Sequence, residues 1–160
     1  MSATEITPLA RALGRVPTGL YVVTAAGPDG PVGFVGSFLV QVGLDPPTVC
    51  VAVGRGRGPL AAIRASGRFG VSILDGASSD LMSFFFRKYE EGRSPFDDLE
   101  SESAPDGSPV LSRALAWLEC RVSGEHETGD HVVVFGEVTA GELQREGEPS
   151  VHLRKNGLGY

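Results

Sequence analysis

At 160 residues, 41% of them hydrophobic and 21% charged, the chain can bury a sizeable core and is too apolar to be disordered; one domain over residues 1–160 is expected. Its formal charge of -6 opposes a nucleic-acid backbone, and no apolar run approaches the ~20 residues of a membrane span, so neither partner is expected. The opening MSATEITPLARAL lacks a signal-peptide core, which makes the cytoplasm the expected compartment.

In chain order, the first expected element is a short helix over Pro8–Leu13, with Thr7 as its cap and Pro8 in the first helical position. LYVVTA (20–25) is a β-branched run ended by the turn GPDGP, and VGFVGSFLVQVGL (32–44) follows, so the two are expected to pair as a hairpin. Asp45, Pro46 and Pro47 stop the second run, because proline has no N–H to donate to a ladder. TVCVAV (48–53) is wholly apolar and too short for a helix, which predicts a buried strand. After GRGRG, PLAAIRAS (59–66) reads as two turns of helix closed by Gly67, and FGVSIL (69–74) as the next strand. A helix is predicted over 80–89, capped by Ser79 or Asp80, then a polar loop from about 90 to 109. Two long strands, 114–125 and 131–143, pair across the turn ETGD, and VHLR (151–154) makes a last short strand. Cys50 and Cys120 stand alone inside apolar runs and read as buried free thiols. Six or more strands with three short helices predict a mainly β chain whose sheet closes, or nearly closes, into a barrel.

The stretch VCVAVGRGRGPLAAIRASGRFGVSILD (49–75) imitates a dinucleotide-binding unit, with Asp75 where a ribose-binding acid would stand. Pro59 occupies the third glycine position, the helix is short for a crossover, and hairpins flank the segment, all of which argue against that unit. What remains is a run of peptide N–H groups at Gly54, Gly56 and Gly58 before a helix, with Arg55 and Arg57 adding guanidinium forks suited to a phosphate. His126 and His131, among Glu125, Glu127 and Asp130, offer no ordered set of metal ligands. A tight turn accounts for Gly129 and Asp130 but does not require His131.

Taken in order, GRVPTGLYVVTA, GFVGSFLVQVGLDPPTVCVAV, SGRFGVSIL and ALAWLECRV with GDHVVVFGEV resemble the flavin reductase-like family of FMN-binding split barrels. The match spans roughly residues 10–160; SPVLSRALAWLEC and VHLRKNGLGY look especially like the flavin reductase domains fused to cyanobacterial flavodiiron proteins. The resemblance implies a homodimer of six-stranded antiparallel split β-barrels with FMN in a groove near the dimer interface. It also implies reduction of flavin by NADH or NADPH, with the product handed to a partner oxygenase or another acceptor. It maps flavin contacts onto Val35, Gly36, Ser37 and Phe38, a phosphate turn onto Arg55, Gly56 and Arg57, and a second flavin strand onto Phe69, Val71 and Ser72. The histidine beside flavin and nicotinamide maps onto His131, the expected catalytic residue. Trp117 and Leu118 read as barrel wall or dimer contacts, and His152 and Arg154 stand where they would close the groove, although their spacing does not require it.

No acid–base pair or nucleophile elbow is present, and hydride transfer needs neither, since the cofactor carries that chemistry. Two further readings belong to the same architecture: a fixed FMN passing electrons to ferric iron, oxygen or a protein, and a non-catalytic flavin- or haem-binding module.

Overall fold

The computed structural model describes residues 5–159. In order it contains α1 (Pro8–Leu13), β1 (Thr18–Gly19), β2 (Tyr21–Gly27), β3 (Gly30–Gly36), β4 (Leu39–Leu44), β5 (Pro47–Gly54), α2 (Gly58–Ser66), β6 (Arg68–Ile73), α3 (Met82–Phe86), β7 (Ser101–Ser103), β8 (Pro109–Leu111), β9 (Ala116–Glu127), β10 (His131–Leu143) and β11 (Val151–His152). Seven strands form one antiparallel sheet in the order β3-β2-β6-β9-β10-β5-β4, curled until β3 touches β5. Strands β5 and β6 are not neighbours, which removes the dinucleotide-binding reading. Asp75 is occupied instead: it accepts from the Ser78 hydroxyl at 2.6 Å and pairs with Arg145 at 2.5 Å.

The expected count of six strands becomes seven because the run 32–44 is two strands. β3 pairs with β2 from Gly27↔Gly30 to Tyr21↔Gly36. The chain then leaves that ladder at Ser37 and Phe38, and β4 pairs with β5 from Leu39↔Val51 to Leu44↔Pro47. The hairpin expected from 20–25 and 32–44 therefore holds for its first half only. The helix expected over 80–89 is shorter as well: a 3-10 turn at Ser79–Leu81 precedes Met82–Phe86, and Arg87 leaves in an extended conformation. Conversely, the polar loop contains the small β7–β8 hairpin.

Alternation along the strands decides what lies inside. Val49, Val51 and Val53 of β5, Val132 and Val134 of β10, Phe69 and Val71 of β6, and Val23 and Ala25 of β2 fill the barrel, while Leu60, Ala62 and Ile63 of α2 pack into the same core. A side chain of this size contributes about 1.5–3 kcal/mol when fully buried. Strand β2 is apolar on both faces because Val22 joins a second layer with Leu74, Leu81, Leu99, Leu111 and Ala114. Trp117 packs in a third small cluster with Ala104 and Val110, as barrel wall. Glu119 is fully buried on β9, and its carboxylate accepts the Asp106 and Ser108 N–H groups at 2.8 and 2.9 Å. Those two bonds satisfy the buried acid and pin the turn between β7 and β8.

Both chain ends meet on one side. Thr7 caps α1 by accepting the Ala10 N–H at 3.2 Å, and β11 pairs with β1 through Thr18↔His152 and Gly19↔Val151. Beyond β11, the Gly157 N–H donates to the Ala10 carbonyl at 2.8 Å and the Arg15 guanidinium donates to the Arg154 carbonyl at 2.9 Å. Gly14 and Gly157 are in contact too close for any side chain: a Cβ at Gly14 would overlap the Arg154 carbonyl oxygen, and one at Gly157 would overlap Leu13.

Gly136 occupies the tightest point of the barrel interior, beside a register shift between β9 and β10. A Cβ there would lie 2.5 Å from the Phe69 ring and 2.8 Å from Cys120 Cβ. Gly136→Ala should therefore destabilise the fold by about 1–3 kcal/mol through overpacking. Thermal unfolding should move down by roughly 2–4 °C for each kcal/mol lost, and an unchanged midpoint would show that the strand relaxes at no cost.

Candidate functional site

The break in the chain at Ser37 and Phe38 leaves a seam between the β3 and β5 sides of the barrel, and a cleft of about 980 Å³ lies there. One wall comes from β3 and its end (Gly33, Phe34, Val35, Gly36, Ser37). The facing wall comes from β5, the turn after it and the first residue of β10 (Ala52, Gly54, Arg57, Gly58, His131). Met82, Phe85 and Phe86 of α3 close one side, and the segment His152 to Asn156 closes the other. Phe86 is 72% exposed at the rim, an unusual position for a phenylalanine without a partner to cover it.

Of the residues expected at the site, Val35, Gly36, Ser37, Arg57 and His131 line this cleft. Ser37 is 6% exposed yet its hydroxyl forms no hydrogen bond among the described residues, so it faces the cleft as an unused donor and acceptor. Phe38 stands just behind. Its carbonyl accepts the Ala52 N–H at 2.9 Å, and its ring has the His131 ring edge-on at 5.7 Å and the Arg154 guanidinium 4.6 Å from its centroid. Imidazole, phenyl ring and guanidinium thus form one contiguous wall element.

His131 opens β10 opposite Gly54, with its side chain 18% exposed and Nδ1 at 2.8 Å from Asp130 Oδ1. The hydrogen bond to His131 is the largest of the influences that hold the Asp130 carboxyl below the usual carboxylate range, followed by a backbone hydrogen bond and the imidazole charge. The turn itself is braced: the Arg55 N–H donates to the Asp130 carbonyl at 3.0 Å, and the Thr128 hydroxyl and N–H both donate to the His131 carbonyl.

Five expected residues stand elsewhere. The Arg55 side chain turns to the β9–β10 connection, paired with Glu127 at 3.2 Å and donating to the Thr128 carbonyl at 3.1 Å. Gly56 sets the turn, at φ +72, without lining the cleft. Phe69, with Val71, points into the barrel core. Ser72 is fully buried on the opposite face of β6, where its hydroxyl accepts the Leu111 N–H at 2.9 Å. Alternation explains the last two: Phe69 and Val71 face inward, and the outward face of β6 is covered by β8 rather than open to the cleft.

Conversely, motifs and spacing did not mark Met82, Phe85, Phe86, Lys155 and Asn156 as cleft residues. The triple phenylalanine 84–86 was the one available signal, since a run of aromatics on so short a helix cannot all be buried.

Charge is distributed unevenly. Among the described residues, Arg57, Arg154 and Lys155 line the cleft and no Asp or Glu does, in a chain of net charge -6. Arg57 folds over Gly54, where a Cβ would come within 3.1 Å of its Nε, and among the described residues neither Arg57 nor Arg154 has a carboxylate partner. The cleft is cationic, with aromatic and glycine walls, a lining suited to an anion.

The chain matches the flavin reductase like domain over residues 13–157. It is 37% identical over 138 residues to the FMN reductase (NADH) SmoA of Agrobacterium fabrum, covering 86% of this chain and 76% of that protein. It is 35% identical over 154 residues to diflavin flavoprotein A 1 of Synechocystis sp., covering 95% of this chain but 27% of that protein, so it spans about a quarter of that relative's length. Among solved structures, nitrilotriacetate monooxygenase component B from Mycobacterium thermoresistibile superposes with a TM-score of 0.82 at 31% identity, covering 91% of this chain and 80% of that one. The NADH:FAD oxidoreductase of Streptomyces globisporus gives a TM-score of 0.82 at 28% identity, covering 96% and 95%. With the family's domain matched over residues 13–157 and a 37% identical relative covered over 76% of its length, the chain belongs to the flavin reductase-like family.

Proposed function

We propose that this protein is an NAD(P)H-dependent flavin oxidoreductase that binds FMN in the seam cleft and supplies reduced flavin to a partner oxygenase or another acceptor. The observation that carries the reading is the acid-free cleft holding Arg57, Arg154 and Lys155 against aromatic and glycine walls. A flavin mononucleotide fits these residues: the volume of about 980 Å³ suits a cofactor of that size, Ser37 offers a free hydroxyl to a ring carbonyl, and Arg57 with the Gly54–Gly58 turn matches a phosphate dianion. The names of the Agrobacterium and Streptomyces proteins support a flavin and NADH as the reactants.

Bound flavin supplies the hydride-accepting ring. The chain's contribution is position and electrostatics. Arg57 and the N–H groups before α2 hold the phosphate end. Phe34, Phe85 and Met82 form the apolar side that excludes water. His131, held by Asp130 and backed by Phe38, lines the cleft, where it orients the nicotinamide or supports negative charge on the reduced ring.

A homodimer belongs to this proposal. The outward residues beside the cleft are apolar: Val40, Cys50 and Phe135 stand in one cross-strand row, and Val40, Val42 and Leu44 are 57%, 49% and 86% exposed. A second copy covering this face would also wall the cleft, which Ala52 and His131 share with the same sheet surface.

Light scattering should give twice the 16.8 kDa chain mass, and Val40→Asp with Val42→Asp should return it to one; a native monomer with flavin bound would refute the dimer. Arg57→Ala should weaken FMN about tenfold while leaving riboflavin unchanged, a loss of ~1.4 kcal/mol confined to the phosphate. Equal losses for both ligands would assign Arg57 to folding. His131→Ala should slow anaerobic bleaching of bound flavin by NADH or NADPH about tenfold, with FMN affinity and melting temperature unmoved. Bleaching at the wild-type rate would reduce His131 to a turn residue, and a protein that never bleaches would overturn the reductase reading itself.

A further inference from the structure

The arginines of this protein fall into two groups. Arg55, Arg64, Arg68, Arg93, Arg113, Arg121 and Arg145 each have a carboxylate partner within salt-bridge distance. Among the described residues, five arginines have none, and one of these, Arg87, lies over the Phe84 ring. The other four are Arg57 and Arg154 in the seam cleft and Arg11 and Arg15 in a second cavity of about 790 Å³. That second cavity is bounded by Arg11, Arg15, Lys155, Ile6, Ala12 and a single acid, Glu5. Lys155 lines both cavities.

Unpaired cations in a chain of net charge -6 would ordinarily find carboxylates on the surface, as seven of the arginines do. Here they collect around two adjoining cavities with one lysine in the shared wall. Three cationic side chains converging on one pocket carry more charge than the single Glu5 offsets. Their planar forks and ammonium suit a phosphate monoester, which brings close to two negative charges and three acceptor oxygens. The local structure holds them there: the Arg15 guanidinium is anchored on the Arg154 carbonyl at 2.9 Å, and Gly157 is bonded to Ala10 at 2.8 Å, so the tail carrying Lys155 is fixed against the helix carrying Arg11.

We propose that the pocket of Arg11, Arg15 and Lys155 is a phosphate subsite for the far end of a nucleotide whose reactive end occupies the seam cleft. For its ligand this rests on the reductase reading. The phosphate has two sources there: the 2′-phosphate that distinguishes NADPH from NADH, and the adenylate half of a dinucleotide flavin. A monoester dianion matches three cations better than a diphosphate bridge, which carries one charge per phosphorus, so the 2′-phosphate is the expected occupant.

The test uses Arg11→Gln, because Arg11 lies outside the seam cleft and its side chain has no bond among the described residues. Calorimetry with 2′,5′-adenosine diphosphate and with 5′-adenosine monophosphate reads the subsite without turnover. The wild type should bind the former at least tenfold more tightly, and Arg11→Gln should lose that difference with its melting temperature unchanged. KM for NADPH should rise about tenfold in the variant while that for NADH stays level. Loss of FAD affinity but not FMN affinity, with no effect on the adenosine phosphates, would keep the phosphate subsite and assign it to the flavin. Equal binding of both adenosine phosphates to wild type and variant, with FAD also unaffected, overturns it. Because the calorimetric result does not depend on flavin reduction, an inactive but binding protein refutes the reductase reading and leaves the subsite standing.

Discussion

The change of partner at Ser37 and Phe38 governs this structure. A strand can satisfy its backbone against only so many neighbours, and here a single apolar run feeds β3 into one end of the sheet and β4 into the other. Ser37 falls between the two ladders, and the Phe38 carbonyl accepts the Ala52 N–H, one pair beyond Leu39↔Val51 in the register of β4 on β5. The cleft, the placement of Ser37 and the position of Phe38, edge-on to His131 with the Arg154 guanidinium over its face, all follow from that change of partner.

Electrostatics then separates two sets of cations, those paired with carboxylates and those lining the cleft. Around most of the surface, arginines are paired with carboxylates across strands and loops, interactions that are worth little individually in water. At the seam the pattern stops. The negative chain lines its seam cleft with Arg57, Arg154 and Lys155, an arrangement that favours an anion there. Asp130 sits beside His131, and its bond to the imidazole at 2.8 Å ties the carboxylate to the orientation of that ring.

Much of this was legible where local chemistry decides. Thr7 and Pro8 announce α1, Gly67 ends α2 in the left-handed conformation at φ +69, and the turn before His131 places the start of β10 at that residue. The split at Ser37 was not legible, because SFLVQV continues an apolar strand pattern and only the availability of β5 as a partner breaks it. The same limit applies to Phe69 and Ser72: alternation says that they face opposite ways, but not which face of β6 is open. Phe69 went to the core and Ser72 to the layer under β8. The walls from α3 and from the segment 152–156 arise from contacts between distant parts of the chain, which no window of sequence contains.

The pairing of β1 with β11 and the Gly14–Gly157 contact have a consequence for the order of events during synthesis. Barrel strands β2 to β10 can find one another as they emerge, but the bond from Arg15 to the Arg154 carbonyl joins residues 139 positions apart. Closing such a long loop is slow relative to local pairing. A ribosome-bound chain that has released β10 but not residue 157 would hold the barrel and the phenylalanines of α3 while lacking Arg154 and Lys155. The newborn barrel would spend that interval with its seam gaping and its aromatic wall wet, a period in which a chaperone has something to hold and a nucleotide does not.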